Sequence, residues 1–163
     1  MISLKRYPAV LFVCTANRCR SPLAEAIFKR ILCQMGPDWA RWKVESAGTW
    51  ARPDLPPLPG TLQAAKHLGL DIENHRSRHV DGRLLEEFDL ILTMEPNHKE
   101  ALQAEFPELS SRIFMLSEMT GKDLTIFDPV GQEDQEYTNT ALEIAEYLRE
   151  GLRQIVALAT RPL

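Results

Sequence analysis

Near the amino terminus, an uninterrupted apolar run is followed by a polar loop and then by the start of a helix. Residues 9–13, AVLFV, show no polar alternation, which is typical of a parallel strand covered on both faces. Residues 14–21, CTANRCRS, form the loop, and Ser21-Pro22 is predicted to be an N-cap followed by proline at the first helical position. A strand that leads through a short loop into a helix is the first half of a βαβ unit.

The rest of the chain continues this alternation. Further strands are predicted at residues 44–47, 88–94 and 113–116, and further helices at 61–68, 97–106 and 137–158. The proline-rich residues 52–60 are predicted to be an extended loop. The sequence therefore predicts an α/β fold, with residues 1–163 as a single domain. We expect a doubly wound sheet of four parallel strands in flavodoxin-like order with flanking helices.

Charge and cysteine content exclude several classes of protein. Nineteen Lys and Arg against 23 Asp and Glu give a net charge of −4, which argues against non-specific binding to nucleic acid or to a membrane surface. The three cysteines are an odd and sparse set, unlike a secreted disulfide framework. No apolar stretch has the length of a signal-peptide core or a membrane span. We expect a soluble cytoplasmic protein that is a monomer or a weak dimer.

The loop after the first strand combines a nucleophile, an arginine and a helix N-terminus. Backbone N–H groups of such a loop, together with the helix dipole, make an anion cradle. Arg20 adds a planar two-pronged grip on phosphate oxygens, and the same field favours a thiolate at Cys14 that attacks phosphorus and becomes a phosphocysteine. Taken alone, the cysteine would be an inert core residue and the arginine a solvated charge. The motif GxxxxGK[ST] is absent, which excludes a nucleotide-binding P-loop.

The sequence CTANRCRSPLAEAIF, which begins at Cys14, closely resembles the signature of the low-molecular-weight protein tyrosine phosphatases. Further similar segments follow in the same order along the chain: VESAGTWA at 44–51, HRSR at 75–78, DLILTME at 89–95, FPE at 106–108 and FDP at 127–129. A cysteine and an arginine at this spacing form only a moderately specific pattern. The collinear segments together make the resemblance highly specific.

The resemblance implies a role for each residue of the loop. Cys14 is expected to be the nucleophile, and the phosphate-binding loop consists of Thr15, Ala16, Asn17, Arg18, Cys19 and Arg20. Asp128 is expected to be the general acid, and no metal or cofactor is required. Independently, Asp128 lies in a segment of nearly twenty residues between the last strand and the last helix, and structureless loops that long are usually functional. Without the cysteine loop, Asp128 would be interpreted as a turn residue before proline.

The family also suggests residues that support the loop from behind. Asn17, Ser21, Ser46 and His75 resemble a network that holds the loop in its strained conformation, and asparagine tolerates the positive φ that such a loop needs. The remaining histidines, His67, His79 and His98, are predicted to be structural.

Two interpretations remain for Cys19. It matches the family's second loop cysteine, which can form a reversible disulfide with the nucleophile, or it packs inside a tight loop. Cys33, at the end of a helix, is predicted to be a small buried apolar residue. No zinc-ligand spacing accompanies these cysteines, so no metal site is predicted.

Several positions depart from the family pattern. Ala16 stands where glycine is usual, and Arg18 occupies an entrance position that is usually apolar or small, where positive charge favours acidic substrates. Val130 and Gly131 follow Asp128-Pro129 where many members carry tyrosines. We expect Val130 in the substrate slot, and Trp50 either walls that slot or packs in its own loop.

The resulting prediction is a cysteine-dependent phosphomonoesterase that hydrolyses phosphotyrosine in proteins. Inorganic phosphate and other oxyanions are expected as product or inhibitors. Phosphoarginine in proteins is the main substrate alternative. A thiol-dependent arsenate reductase on the same scaffold would need further cysteines around residues 78–97, and the sequence has none there. A catalytically silent phosphate-binding module would be expected to lose Cys14, Arg20 or Asp128.

Overall fold

The computed structural model of the chain describes residues 6–163 and is built around one parallel sheet. Residues 1–5, which the predicted domain includes, lie outside the described part. The strands are β1 (Ala9–Cys14), β2 (Lys43–Gly48), β3 (Leu90–Thr93) and β4 (Ile113–Met115). They pair in the order β2-β1-β3-β4, and every pairing is parallel. The predicted doubly wound α/β fold and its strand order are confirmed.

Helices connect the strands and cover both faces of the sheet. They are α1 (Arg20–Met35), α2 (Pro59–His67), α3 (Gly82–Glu86), α4 (Pro96–Glu105), α5 (Asp134–Glu150) and α6 (Leu152–Thr160). None of the helices in the described part is long and apolar enough to cross a membrane. The short helix α3 was not predicted, and it begins where the Asp81 carboxylate accepts the N–H of Leu84 at 2.8 Å.

Alternate residues of β1 point into two separate apolar layers. Val10 and Phe12 pack in a cluster with residues of α1, α2, α5 and α6, while Leu11 and Val13 pack in a second cluster with residues of α3 and α4. All six residues of β1 are buried, which explains the absence of polar alternation. The carboxyl ends of β1 and β3 lie side by side. Because connections leave β1 and β3 toward opposite sides, this edge is where ligands bind in such sheets.

The predicted start of the first helix was wrong by two residues. Cys19, not Ser21, is the N-cap, and α1 begins at Arg20. Ser21 cannot act as the cap because its hydroxyl is engaged with Asn17 and Cys14. Cys33 was also predicted wrongly, since it lies exposed on α1.

The predicted closing helix is interrupted at Gly151, which separates α5 from α6. A Cβ atom at Gly151 would lie 2.7 Å from the Cβ of Met119, so the absence of a side chain allows this close packing. Met119 belongs to a 3₁₀ turn over Leu116–Thr120, where the sequence predicted an irregular loop. The segment without regular structure is therefore shorter than predicted and covers residues 121–133.

Candidate active site

The loop after β1 turns its carbonyl groups outward. The carbonyls of Cys14, Thr15 and Arg18 accept N–H groups of Thr49, Trp50 and Leu58 at 2.9, 2.9 and 3.1 Å. The carbonyl of Asn17 accepts Nε2–H of His75 at 2.8 Å. In a trans peptide the C=O and N–H groups point in opposite directions. The N–H groups of residues 15, 16, 18 and 19 are therefore directed into the loop, beside the N-terminus of α1, and form an anion cradle.

Asn17 has an unusual backbone conformation, which its side-chain hydrogen bonds stabilise. Its φ angle is +56°, in the left-handed region, and the residue is fully buried. Its Nδ2 group donates to Ser21 Oγ at 2.8 Å and to Ser46 Oγ at 2.9 Å, while Oδ1 accepts the N–H of Arg78 at 3.0 Å. Every polar group of the side chain is thus paired, which holds the unusual backbone conformation in place.

The hydrogen bonds continue from Asn17 to the sulfur of Cys14. Ser21 Oγ lies 3.0 Å from Cys14 Sγ and 3.3 Å from the Ala47 carbonyl oxygen. Because Ser21 accepts from Asn17, its own proton is donated to one of these two atoms, and a thiolate is the stronger and nearer acceptor. Behind this pair, Ser46 donates to a carboxylate oxygen of Glu25 at 2.8 Å. Ser21 and Ser46 therefore lie where the sequence predicted a supporting network.

Gly48 allows the loop to approach β2. It pairs with Cys14 across the sheet. A Cβ atom at this position would lie 2.4 Å from the carbonyl oxygen of Thr15 and 3.0 Å from the amide nitrogen of Asn17. Only glycine leaves room for the backbone of the loop after β1 at this distance.

Arg20 is fully buried and its guanidinium is held from several sides. One terminal nitrogen donates to the Ile126 carbonyl at 2.7 Å and lies 3.2 Å from Glu95 Oε2. The other lies 3.5 Å from Thr15 Oγ1 and 3.5 Å from Asp128 Oδ2. These contacts fix the plane of the guanidinium, as a two-pronged grip on phosphate requires.

Asp128 contributes to the same cleft from the segment that precedes α5. Its Oδ1 accepts the N–H of Val130 at 3.1 Å, and its Oδ2 faces Arg20. The carboxylate therefore stabilises a turn and also faces Arg20 in the cleft, partly exposed to solvent. The cleft is lined by Cys14, Ala16, Arg18, Cys19, Arg20, Leu58, Asp128 and Val130.

The sequence matches a known family over almost the whole chain. A sequence model described as low molecular weight phosphotyrosine protein phosphatase matches residues 9–159. The chain belongs to this family. It is thus a protein phosphatase, a hydrolase that acts on phosphorylated proteins.

The relatives of this phosphatase include both arginine phosphatases and tyrosine phosphatases. A protein-arginine-phosphatase of Bacillus subtilis (strain 168) is 36% identical over 149 residues, which are 90% of this chain and 95% of that protein. The low molecular weight protein-tyrosine-phosphatase YfkJ of the same organism is 31% identical over 154 residues, covering 91% and 94%. A solved structure of the YwlE arginine phosphatase, a mutant with a phosphorylated active-site serine, has a TM-score of 0.84 and 33% identity, covering 91% of this chain and 95% of that chain.

Two residues of the phosphatase site, Glu95 and His98, were not predicted as functional. Glu95 lies two residues beyond β3 and occupies the N-cap position of α4 without a side-chain capping hydrogen bond. His98, which the sequence placed among the structural histidines, is buried with its Nε2 atom 2.8 Å from Thr15 Oγ1. Burial, and then the charge of Arg20, lower the pKa of His98 to about 4, against raising contributions from Glu95 and Asp128. The available signal was their position at the carboxyl edge of the sheet.

Of the two residues Trp50 and Cys19, only Cys19 lines the cleft. The Trp50 side chain is 84% exposed, and Trp50 is not among the described residues that line the cleft, whereas Val130 is.

Cys19 is buried, and burial, helped by the charge of Cys14, raises its pKa to about 12. A protonated buried thiol suits packing, and the redox role of Cys19 stays a prediction. In residues 6–163 no group of metal-ligating side chains has the arrangement of a metal site.

Proposed function

We propose that this phosphatase hydrolyses phosphotyrosine in proteins through a phosphocysteine intermediate at Cys14. The observation that carries the proposal is the convergence of the Cys14 sulfur, the inward N–H groups of its loop and the buried guanidinium of Arg20 in one cleft. A nucleophile and a preorganised positive field for the transferred phosphoryl group are thereby in the same place.

In the first step the Cys14 thiolate attacks phosphorus. The S–P bond forms while the P–O bond to the tyrosine ring breaks, and the phosphoryl oxygens are held by Arg20 and the loop N–H groups. Asp128 then gives its proton to the departing phenolic oxygen, so the leaving group is tyrosine rather than its anion. The position of Asp128 Oδ2, 3.5 Å from Arg20, supports this role.

In the second step a water molecule attacks the phosphocysteine. Asp128, now ionised, takes a proton from that water, the S–P bond breaks, and inorganic phosphate leaves. The electron pair returns to sulfur, so Cys14 becomes a thiolate again. Ser21, 3.0 Å from this sulfur, is placed to donate a hydrogen bond to it in both steps.

Arg18 supports phosphotyrosine over phosphoarginine. Its Nε group donates to the Pro56 carbonyl at 2.7 Å, and its backbone carbonyl accepts the N–H of Leu58 in the same segment at 3.1 Å. The guanidinium is thereby held beside the cleft that it lines. A second cation repels the guanidinium group of phosphoarginine and attracts acidic residues that flank a phosphotyrosine.

Phosphoarginine remains the second candidate because of two observations. The arginine phosphatase of Bacillus subtilis is similar over 90% of this chain. The cleft is also lined by Leu58 and Val130, with no aromatic residue among the described residues that line it to stack on a tyrosine ring.

The deciding experiment compares kcat/KM on matched phosphotyrosine and phosphoarginine peptides in EDTA. We expect at least tenfold preference for phosphotyrosine, and a smaller preference in Arg18→Gln, because the repelling charge is removed. Arg153→Gln, an exposed arginine on α6, serves as the control and should keep the wild-type ratio. Preference for phosphoarginine in the wild type would overturn the substrate assignment.

The single-domain extent over residues 1–163, the cytoplasmic location and the monomeric or weakly dimeric state stay predictions.

A further inference from the structure

His98 connects helix α4 to two groups that touch Arg20. Its Nε2 atom lies 2.8 Å from Thr15 Oγ1 and 3.2 Å from Glu95 Oε2. Each of these oxygens is in turn near the guanidinium of Arg20, Glu95 at 3.2 Å and Thr15 at 3.5 Å. One imidazole nitrogen of His98 therefore contacts both Thr15, at the start of the loop, and Glu95, beyond the end of β3, and each of these residues contacts Arg20.

The surroundings of the ring determine which nitrogen carries the proton. Glu95 offers a carboxylate, which only accepts, so a proton on Nε2 of His98 is favoured. Nδ1 is buried and has no hydrogen-bond partner among the described residues, so a proton placed there would be an unpaired buried donor. We therefore assign the neutral Nε2–H form, in which the ring donates to Glu95 and Thr15.

We propose that His98 is a positioning residue for the phosphoryl-binding arginine: its Nε2–H fixes the Glu95 carboxylate and the Thr15 hydroxyl, and through them the orientation of Arg20. The low pKa of His98 is consistent with this role, since a neutral ring adds no cation to compete with Arg20 for the phosphoryl group. The inference rests on the proposed function only in that Arg20 binds the phosphoryl oxygens.

The Thr15 hydroxyl lies between His98 and Arg20. With its oxygen accepting from His98 and facing Arg20, the hydroxyl has a fixed orientation at the first position of the cradle. Removing either partner should misplace the other. Their effects on Arg20 should therefore be coupled, whereas two independent packing contacts would contribute separately.

The experiment measures equilibrium binding of inorganic phosphate by calorimetry, together with kcat and KM, for His98→Leu, His98→Gln, Thr15→Val and the His98→Leu/Thr15→Val double variant. Leucine removes the donor, whereas the Gln side-chain amide can place an N–H near the position of Nε2. His67→Gln is the control, because His67 is an exposed histidine of α2 whose Nδ1 atom lies 3.2 Å from Thr138 Oγ1.

We expect His98→Leu to weaken phosphate binding and lower kcat by about tenfold, the size of one hydrogen bond to a charged group. His98→Gln should recover most of the phosphate affinity and most of kcat. The double variant should bind phosphate no less tightly, and turn over no more slowly, than the more impaired of the two single variants. Unchanged phosphate affinity in a folded His98→Leu protein, or effects that multiply in the double variant, would overturn the proposal. If His98→Leu does not fold, His98→Met provides the same loss of donor with a more adaptable side chain.

Phosphate binding separates this inference from the proposed function. If wild-type protein binds phosphate and His98→Leu binds it less tightly, the positioning role holds even when phosphotyrosine proves to be the wrong substrate. If wild-type protein turns over phosphotyrosine and His98→Leu binds phosphate normally, only the positioning role fails.

Discussion

The hydroxyl oxygen of Ser21 lies 3.0 Å from the sulfur of Cys14. Asn17 Nδ2 donates to the same oxygen at 2.8 Å, so the Ser21 proton is directed either to the sulfur or to the Ala47 carbonyl oxygen 3.3 Å away. When it is donated to the sulfur, it stabilises a negative charge there. Sulfur is the attacking atom in the first step and the leaving atom in the second. The hydrogen bond should therefore matter for the formation and the breakdown of the phosphocysteine.

We expect Ser21→Ala to slow breakdown of the intermediate about tenfold, since a hydrogen bond to a charged group contributes roughly 1.5–3 kcal/mol. Rapid mixing with p-nitrophenyl phosphate should then show a burst of nitrophenol larger than in wild type. Ser111→Ala, at an exposed position, is the control and should leave the time course unchanged. A Ser21→Ala enzyme with wild-type burst and steady-state rate would show that this hydroxyl does not act on the sulfur.

Asp128→Asn should slow the first step by roughly 10²- to 10⁴-fold, because the leaving oxygen departs without a proton. The loss should be greater for phosphotyrosine than for p-nitrophenyl phosphate, whose leaving group is a more stable anion. Single-turnover rates of phosphocysteine formation on the two substrates give the comparison. An equal loss of rate on both substrates would mean that Asp128 only stabilises the turn through its hydrogen bond with Val130. Glu133 and Asp134 would then be the next candidates for the general acid.

Gly48→Ala should impair catalysis although it adds only a methyl group. The new Cβ would lie 2.4 Å from the Thr15 carbonyl, so the phosphate-binding loop must move. Misplacement on the order of 1 Å costs about 10²-fold in rate. The matched control is Gly82→Ala, where the nearest atom is a Phe106 side-chain carbon at 3.3 Å. Both variants should be assayed for kcat/KM, and a Gly48→Ala enzyme as active as Gly82→Ala would contradict the close approach.

His98 should make the stability of the fold depend on pH in a defined range. Its pKa is about 4 in the folded protein and 6.5 for an unperturbed side chain, mainly because of burial. Between these values the unfolded chain binds a proton that the folded protein does not bind, so the free energy of unfolding falls as pH falls from 6.5 to 4. The slope from one such group is at most about 1.4 kcal/mol per pH unit.

Urea unfolding of wild type and His98→Gln at several pH values measures this contribution. The wild type should lose more stability than the variant between pH 6.5 and 4, and the two curves should run parallel above pH 7.5. Parallel curves throughout the lower range would mean that His98 titrates alike in the folded and unfolded states.

Local sequence patterns predicted the parts of the site that one segment builds. Cys14 and Arg20 belong to one strand, loop and helix, and an apolar run followed by CTANRCRS indicates all of them. Glu95 and His98 join the site only because β3 lies next to β1, and strand adjacency is a property of the whole sheet. Similarly, the break at Gly151 follows from Met119 packing against it, a contact between segments distant in sequence.

The wrong N-cap at Ser21 has a different cause. Its sequence pattern, serine followed by proline, fits a helix start, but the hydroxyl is taken up by Cys14 and Asn17. A functional contact therefore overrode a local preference at the position closest to the chemistry.

The central claim is that Cys14 carries the phosphoryl group during turnover. Acid quenching within milliseconds of mixing enzyme with a phosphotyrosine peptide in EDTA, followed by mass spectrometry of peptides prepared under conditions that preserve thiophosphate linkages, tests it directly. The account predicts phosphate on the peptide that contains Cys14, and none in Cys14→Ala, which should still bind inorganic phosphate. Phosphate on Asp128 or on a histidine, or activity that appears only when a metal ion is restored, would contradict it.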